Sequence, residues 1–316
     1  MRISQGLIAL VGPTASGKTA ASLPIAEALG AEIVNIDANL VYRGMDVWTG
    51  KPDQAERRRV PHHLIDLTDP VSPVGVAEFQ RLARVAIDQI VARGRRPFIV
   101  GASGLYFRAI VDGLEFPGTE PAARGLLEAE ASILGPAALH RRLADLDPEA
   151  AARIDPRNAR RTVRALEVAA ITGRPFSSFA RDWKRYPPEA VTVAGIEVPR
   201  AELHRRIEDR DARLFPSLLA ETRSLLDRRF GRFIASFHVM GYAEAAACLE
   251  GTLGSDEALA RIVKQDKALA RRQLSWFRRD PRIRWFRGGA ERTAALVEEL
   301  VAYFRAPDRV PATVEA

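Results

Sequence analysis

The sequence predicts an α/β protein: a parallel sheet with helices on its faces, interrupted by an all-helical insertion and closed by further helices. Three observations carry this. Short apolar runs alternate with helical patterns over the first third of the chain, which is how a parallel sheet with crossover helices reads. A glycine-rich turn joins the first run to the first helix. The stretch from about Phe116 to Pro188 then shows almost no strand pattern.

Leu7–Val11 is a short apolar run ending at Gly12 and reads as a buried strand. Residues 17–29 read as a helix stopped by Gly30, with Pro24 as a candidate kink. Glu32–Ile36 is a second strand. Helix 76–93 places Phe79, Leu82, Ala86 and Ile90 on one side, with Gly94 behind it. Pro97–Val100 is a third strand, closed by Gly101. In the middle section, Leu126–Ile133, Ala137–Leu146, Pro148–Ile154 and Asn158–Thr172 read as helices broken by Gly135, Pro136, Pro148, Pro156 and Gly173. Val191–Val198 returns as a β-rich run expected to rejoin the sheet. Helices follow at about 200–229, 241–250 and 256–278. The expected division is 1–115 for the first part of the core, 116–190 for the helical insertion, and 191–316 for the return to the core with basic C-terminal helices.

The chain has 316 residues, 47% of them hydrophobic, which fits a folded protein rather than a disordered one. One cysteine, Cys248, excludes an intramolecular disulfide and fits a reducing compartment. The opening Met1–Gly6 and the run Leu7–Val11 are too short for a signal-peptide core, and no stretch reaches membrane-span length. A cytoplasmic protein with no membrane partner, acting as a monomer, is expected. The net charge is +7, but residues 261–287 hold ten basic residues against Asp266 and Asp280. Concentrated positive charge suits a polyanion. By itself it favours the plainer reading of a solvated helix face.

Gly12-Pro13-Thr14-Ala15-Ser16-Gly17-Lys18-Thr19 fits G-x-x-x-x-G-K-[ST], between a strand and a helix. Such a loop turns backbone N–H groups toward an anion at a helix N-terminus. Lys18 reaches terminal phosphate oxygens, and Thr19 holds a phosphate or Mg²⁺. Kinases, ATPases and GTPases share the loop, so it does not name a reaction. Nucleotide hydrolases usually place an acid at the end of an apolar strand. Here the third strand runs into Gly101-Ala102-Ser103-Gly104, which lowers the weight of ATP hydrolysis.

Further blocks follow in order: Asp37-Ala38-Asn39-Leu40-Val41-Tyr42, Gly50-Lys51-Pro52, Pro61-His62-His63 with Asp66, Gly101 to Tyr106, Arg164 with Glu167, Thr172 to Pro175, Gly241-Tyr242, and Ala270 to Arg278. Their order and spacing resemble the transfer RNA dimethylallyltransferases, also called isopentenyltransferases, from about residue 7 to 287. The resemblance implies transfer of a dimethylallyl group from dimethylallyl diphosphate to N6 of the adenosine just 3′ of the anticodon, in transfer RNAs that read codons beginning with U. Diphosphate leaves and Mg²⁺ assists. It also implies a P-loop core pierced by a channel, the flipped base entering one end and the donor the other.

On this resemblance Asp37 is the base that takes the N6 proton; by pattern alone it is more readily a capping loop aspartate. Ser103 stands where the family carries threonine in Gly-Gly-Thr, and keeps the hydroxyl for adenine or diphosphate. Ala38 replaces a usual serine and Leu40 a frequent glutamine, so the contacts of Asp37, Ala38, Asn39 and Leu40 to the RNA are altered there. Arg210, in Arg206-Ile207-Glu208-Asp209-Arg210, matches an arginine that contacts the diphosphate, and Asp211 replaces an aromatic. Its plainer reading is a helix arginine paired with Glu208 or Glu202. Arg160, Arg161 and Arg164, with Lys264, Arg271 and Arg278, are expected to face the anticodon stem-loop. Trp276 and Phe277 read as core rather than as base-stacking platforms. His62 and His63 read as structural, since nothing nearby completes a zinc set. A small-molecule or nucleoside kinase is the main alternative; it leaves the basic patch without a role. A non-catalytic RNA-binding module switched by ATP is a third.

Overall fold

The computed structural model describes residues 6–71, 74–180, 185–187, 191–237, 239 and 241–306. These form two compact units, Met1–Val111 with Pro188–Ala316, and Asp112–Pro187. The insertion drawn from sequence as 116–190 thus begins four residues earlier and ends three earlier.

The larger unit carries β1 (Leu7–Val11), α1 (Lys18–Leu29), β2 (Ala31–Asn35), α2 (Gln54–Arg59), β3 (His62–His63), α3 (Val76–Ala92), β4 (Arg96–Gly101) and α4 (Gly104–Val111). The smaller unit carries α5 (Pro121–Leu134), α6 (Pro136–Leu146), α7 (Pro148–Ala151) and α8 (Ala159–Thr172). The larger unit resumes with β5 (Val191–Glu197), α9 (Arg200–Asp227), α10 (Gly231–Phe237), α11 (Tyr242–Leu249), α12 (Ser255–Phe277), β6 (Ile283–Arg287) and α13 (Thr293–Arg305).

The strands form one sheet in the order β3-β2-β4-β1-β5-β6. Every pairing is parallel. The central β1 aligns Ile8 with Phe98 of β4 and Leu7 with Val191 of β5, so the run after the insertion does rejoin the sheet. Alternation along β1 separates two cores. Leu7, Ala9 and Val11 join Phe79, Ala83, Ile87 and Ile90 of α3. Ile8 and Leu10 join Ala21 and Ile25 of α1 and Leu296, Leu300 and Phe304 of α13. Full burial of a side chain such as Phe79 contributes about 1.5–3 kcal/mol. With helices on both faces, the carboxyl edge of the strands is where a site forms.

α9 contributes Leu203 and Ile207 to one core and Phe215, Leu218 and Leu225 to the other. Its middle, with Arg210, therefore crosses from one face of the sheet toward the other. α12 does the same, with Ile262 and Phe277 in one core and Ala270 in the other. The helices continue through Pro24 and Pro216.

Residues 283–287, for which the sequence predicted no element after helix 256–278, form an edge strand. Arg284 and Arg287 are exposed on this strand, and charge on an edge strand discourages further pairing. The first insertion helix starts at Pro121 rather than 126, because proline at the first helical position follows a Glu120 cap. The insertion packs its own core of Leu127, Leu139, Leu143, Val163 and Leu166. Among the described residues no helix is long and apolar enough to cross a membrane.

Gly195 in β5 is closed in by its neighbour: a Cβ there sits 2.6 Å from Trp285 and 2.7 Å from Ile283. Gly195→Ala is expected to lower stability by about 1–3 kcal/mol, read as a lower urea midpoint at unchanged slope.

Candidate active site

The loop after β1 folds tightly. Gly12 has φ 151° and Gly17 φ 96°, and Ala15 holds φ 59°, a left-handed conformation rare outside glycine. A Cβ at Gly12 meets the Ile196 carbonyl at 2.7 Å, so the loop runs directly against β5. α1 starts at Lys18 with no side-chain cap, which leaves its first-turn N–H groups to an outside acceptor. The Ser16 hydroxyl is buried and has no hydrogen-bond partner among the described residues. Lys18 Nζ donates to Pro13 O at 2.7 Å. Burial pulls the Lys18 pKa down to about 8; Asp37 opposes that fall and Arg210 adds to it. An anion seated here restores the charge the burial disfavours.

Asp37 follows β2, one strand beyond β4 in the sheet order. Buried Asn35 fixes its backbone, donating to Asp37 O at 3.0 Å and accepting from Asp37 N at 2.8 Å. The Asp37 carboxylate accepts from Asn39 N at 3.0 Å. Burial raises its pKa, while Asn39, Lys18 and Arg210 hold it back in that order. Gly101 makes the adjacent strand end possible: a Cβ there lies 2.6 Å from the Ile36 side chain and 3.3 Å from Asp37 N. Two residues on, the Ser103 hydroxyl accepts weakly from Tyr106 N at 3.5 Å and opens α4. Trp276 of α12 lies on Gly104, where a Cβ would fall 1.9 Å from the indole. Half-buried Tyr106 stacks on Phe79 at 4.3 Å, its phenol pushed up to about 12 by burial with help from Tyr42 and Asp37.

The long helices supply the other wall. Gln273 of α12 accepts from Thr14 N at 2.8 Å. Arg210 of α9 donates to Thr14 Oγ1 at 2.7 Å and pairs with Asp211 and Asp266, not with Glu208 or Glu202. Arg206 pairs with Glu202 at 2.8 Å and lies across Gly17. Lys18, Asp37 and Arg210 are therefore brought together at one edge. Gly101 carries Ser103 there as well.

Several motif blocks hold the frame around this edge. Lys51 is buried among Asp46, Asp66 and the Tyr42 carbonyl. Glu221 accepts from Asp46 N and Val47 N, both at 2.8 Å, and from the Tyr242 hydroxyl. His63 pairs with Glu32, which also holds Arg93, and His62 meets Val60 O, so both histidines are structural. Among the described residues no group of His, Cys, Asp and Glu is arranged to hold a metal.

The residues expected to meet RNA fall into different settings. Ala38 and Asn39 are half-buried, but Leu40 is buried in the core. A leucine follows the apolar interior, which the family's glutamine would not. Arg160, Arg161, Lys264 and Arg271 are exposed. Arg278 is exposed beside Glu197 at 3.5 Å. Arg164 differs: it donates to Pro117 O at 2.6 Å, Gly118 O at 2.9 Å and Glu167 at 2.7 Å. Glu167 is fully buried and also holds Arg124, so Arg164 is a strut of the insertion rather than a free phosphate contact. Phe277 is core, as read, whereas Trp276 is 36% exposed. Asp211, Asp266 and Gln273 were given no role from sequence, where they stood only as an aspartate in place of an aromatic, an acid in a basic segment and a member of the block from Ala270 to Arg278.

The parallel sheet, the strand–loop–helix cradle and the carboxylate two strands away define a P-loop protein of the α/β class. The family model described as IPP transferase matches residues 40–280, and one described as isopentenyl transferase matches residues 5–72. The chain belongs to this family of transferases. A relative from Streptomyces coelicolor, named tRNA dimethylallyltransferase, is 49% identical over 91% of this chain and 92% of its own length. One of the same name from Salinispora tropica is 47% identical, covering 88% of this chain and 87% of itself. The crystal structure of a tRNA isopentenylpyrophosphate transferase from Bacillus halodurans superposes with TM-score 0.66 at 35% identity, covering 95% of this chain and 97% of that one. A eukaryotic dimethylallyltransferase acting on tRNA shares the fold, with TM-score 0.67 at 19% identity over 97% of this chain and 81% of that one.

Arg164→Ala leaves Glu167 short of a partner in a fully buried position and is expected to cost roughly 1–3 kcal/mol. Arg161→Ala is expected to leave stability unchanged; urea titration of both variants checks the contrast.

Proposed function

We propose that this chain transfers a dimethylallyl group from dimethylallyl diphosphate to N6 of the adenosine 3′ to the anticodon in transfer RNAs reading codons that begin with U. The product is N6-(dimethylallyl)adenosine. The observation that supports it most is the electrostatic coupling of the Asp37 carboxylate to Lys18 and Arg210, which both touch the phosphate loop. A base and a leaving-group cradle then stand at one edge of the sheet. N6 attacks the allylic carbon, the carbon–oxygen bond to diphosphate breaks, and Asp37 takes the N6 proton. Lys18, Arg210, the loop amides and the Ser16 hydroxyl receive the negative charge that builds on the diphosphate. Ser103, at the adjoining strand end, is the group we place beside the adenine.

The residues present fit Mg²⁺ in a particular way. Thr19 is exposed and offers a hydroxyl, while among the described residues no acid cluster completes a protein cage. Mg²⁺ is commonly held by few protein oxygens plus substrate phosphates. It would neutralise charge on the departing diphosphate.

Exposed Lys264, Arg271 and Arg278 of the core and Arg160 and Arg161 of the insertion are the proposed phosphate contacts to the anticodon arm. A kinase would leave this set idle, and the family membership does not favour it.

Incubation with dimethylallyl diphosphate, Mg²⁺ and an unmodified anticodon stem-loop is expected to add one prenyl unit to that adenosine, read by mass. ATP-dependent phosphorylation of a small molecule with no change in RNA mass would favour the kinase. Asp37→Asn is expected to lower transfer at least ~100-fold while RNA binding persists; equal loss of both would remove the base. Because the base must be ionised, kcat/KM falls as pH drops through the Asp37 pKa. That limb lies above the usual carboxylate value of about 3.9.

RNA affinity is expected to fall steeply with salt. Lys264→Ala and Arg271→Ala should each reduce the salt slope by about 1, measured by stem-loop binding across a salt series.

A further inference from the structure

Arg210 is held on every side. Its Nε and Nη2 donate to Asp211 Oδ1 at 2.9 and 2.7 Å. Nη2 also meets Asp266 Oδ2, and Nη1 donates to Thr14 Oγ1 at 2.7 Å. The Trp48 ring centre lies 5.9 Å from the guanidinium carbon. A guanidinium carries five N–H groups. These contacts use four, and the one they leave is on Nη1, the nitrogen already beside the phosphate loop.

Two carboxylates are more than one guanidinium needs for neutrality. Asp211 is fully buried and Asp266 is 4% exposed. Asp211 Oδ2 has no hydrogen-bond partner among the described residues. Taking both out of water is costly. Burial pushes the Asp266 carboxyl up to about 6, with Asp211 adding to the rise and Arg210 opposing it. Burial raises Asp211 as well, against Arg210. What the second acid supplies is geometry. One carboxylate on the Nε–Nη2 edge leaves the planar fork able to swing on its long stem, whereas a second anchor on Nη2 fixes its plane. The anchors also come from different helices, so α9 and α12 jointly set the fork.

We propose that Asp211 and Asp266 are positioning residues for the transfer reaction, locking the Arg210 fork so that its remaining N–H is presented to a diphosphate at Thr14. This rests on the reading of Arg210 as a diphosphate contact. Its test has a sign that simple electrostatics does not share. Removing a negative charge beside an anion site should tighten anion binding, but loosening the fork weakens it.

The experiment is calorimetric titration of the full chain with inorganic diphosphate, alongside thermal unfolding. Asp211→Asn and Asp266→Asn are each expected to weaken diphosphate binding about threefold or more, and to add nothing further in an Arg210→Ala background. If Asp266→Asn does not fold, Asp211→Asn carries the cycle, since its Oδ2 has no partner to lose. Unchanged or tighter binding in the single variants overturns the proposal. So does a loss that persists undiminished without Arg210, because the acids would then support the fold rather than the fork. A wild-type protein that binds no diphosphate sinks the reading of the loop itself, and this inference with it. Diphosphate binding without prenyl transfer sinks only the reaction.

Discussion

Desolvated charge at the carboxyl edge of one parallel sheet is the constraint on which the site depends. Lys18 and Arg210 sit there with Asp37, Asp211 and Asp266, all wholly or partly withdrawn from water. Each would be costly alone. Together they hold one another: Lys18 is brought down to about 8, and burial raises all three carboxyls while the cations restrain them. Helices cover both sheet faces, so such a patch can form only where the strands end and the loops begin.

The blocks that mark the family are, to a large extent, the frame of this patch. Lys51 and Asp66 tie down the chain that follows Asp37. Glu221 and Tyr242 grip the same segment from α9 and α11. Gly101 and Gly104 are small because Ile36 and Trp276 occupy the space a side chain would need. A catalytic carboxylate on a loop is useful only when the loop cannot drift, and about an ångström of misplacement is enough to lose much of the rate.

Strands with strong apolar runs, the phosphate loop and the long helices were legible in the sequence because burial on both sheet faces and a 3.6-residue period leave plain marks. Strand 283–287 was not. Its buried residues, Ile283 and Phe286, stand three apart beside exposed Arg284 and Arg287, so it shows no two-residue alternation and the sequence left it without an element. The short helices 54–59 and 231–237 were too brief to show a period. Asp37 and Arg210 were legible through resemblance rather than pattern. Asp266 was not, since a partner fifty-six residues away in sequence is a tertiary fact. Arg164 misled for the reverse reason: its charge is visible in sequence, but buried Glu167 claims it.

The place of the acid separates this site from a hydrolase. After β4, where an apolar strand commonly leads into a metal-binding carboxylate, the chain runs Gly101-Ala102-Ser103-Gly104. The small residues let β2 and α12 close in, and the carboxylate stands instead after β2, fixed by Asn35. From there Asp37 is coupled to Lys18 and Arg210 without being paired to either in a direct ion bridge among the described residues. A carboxylate spent on a cation or a metal is a poor base. One that burial makes more basic, and that nearby cations keep ionised, accepts a proton from a weakly acidic amine more readily. In the proposed reaction the same two cations would take up the charge on the departing diphosphate, so that proton acceptance and leaving-group departure would draw on one electrostatic field.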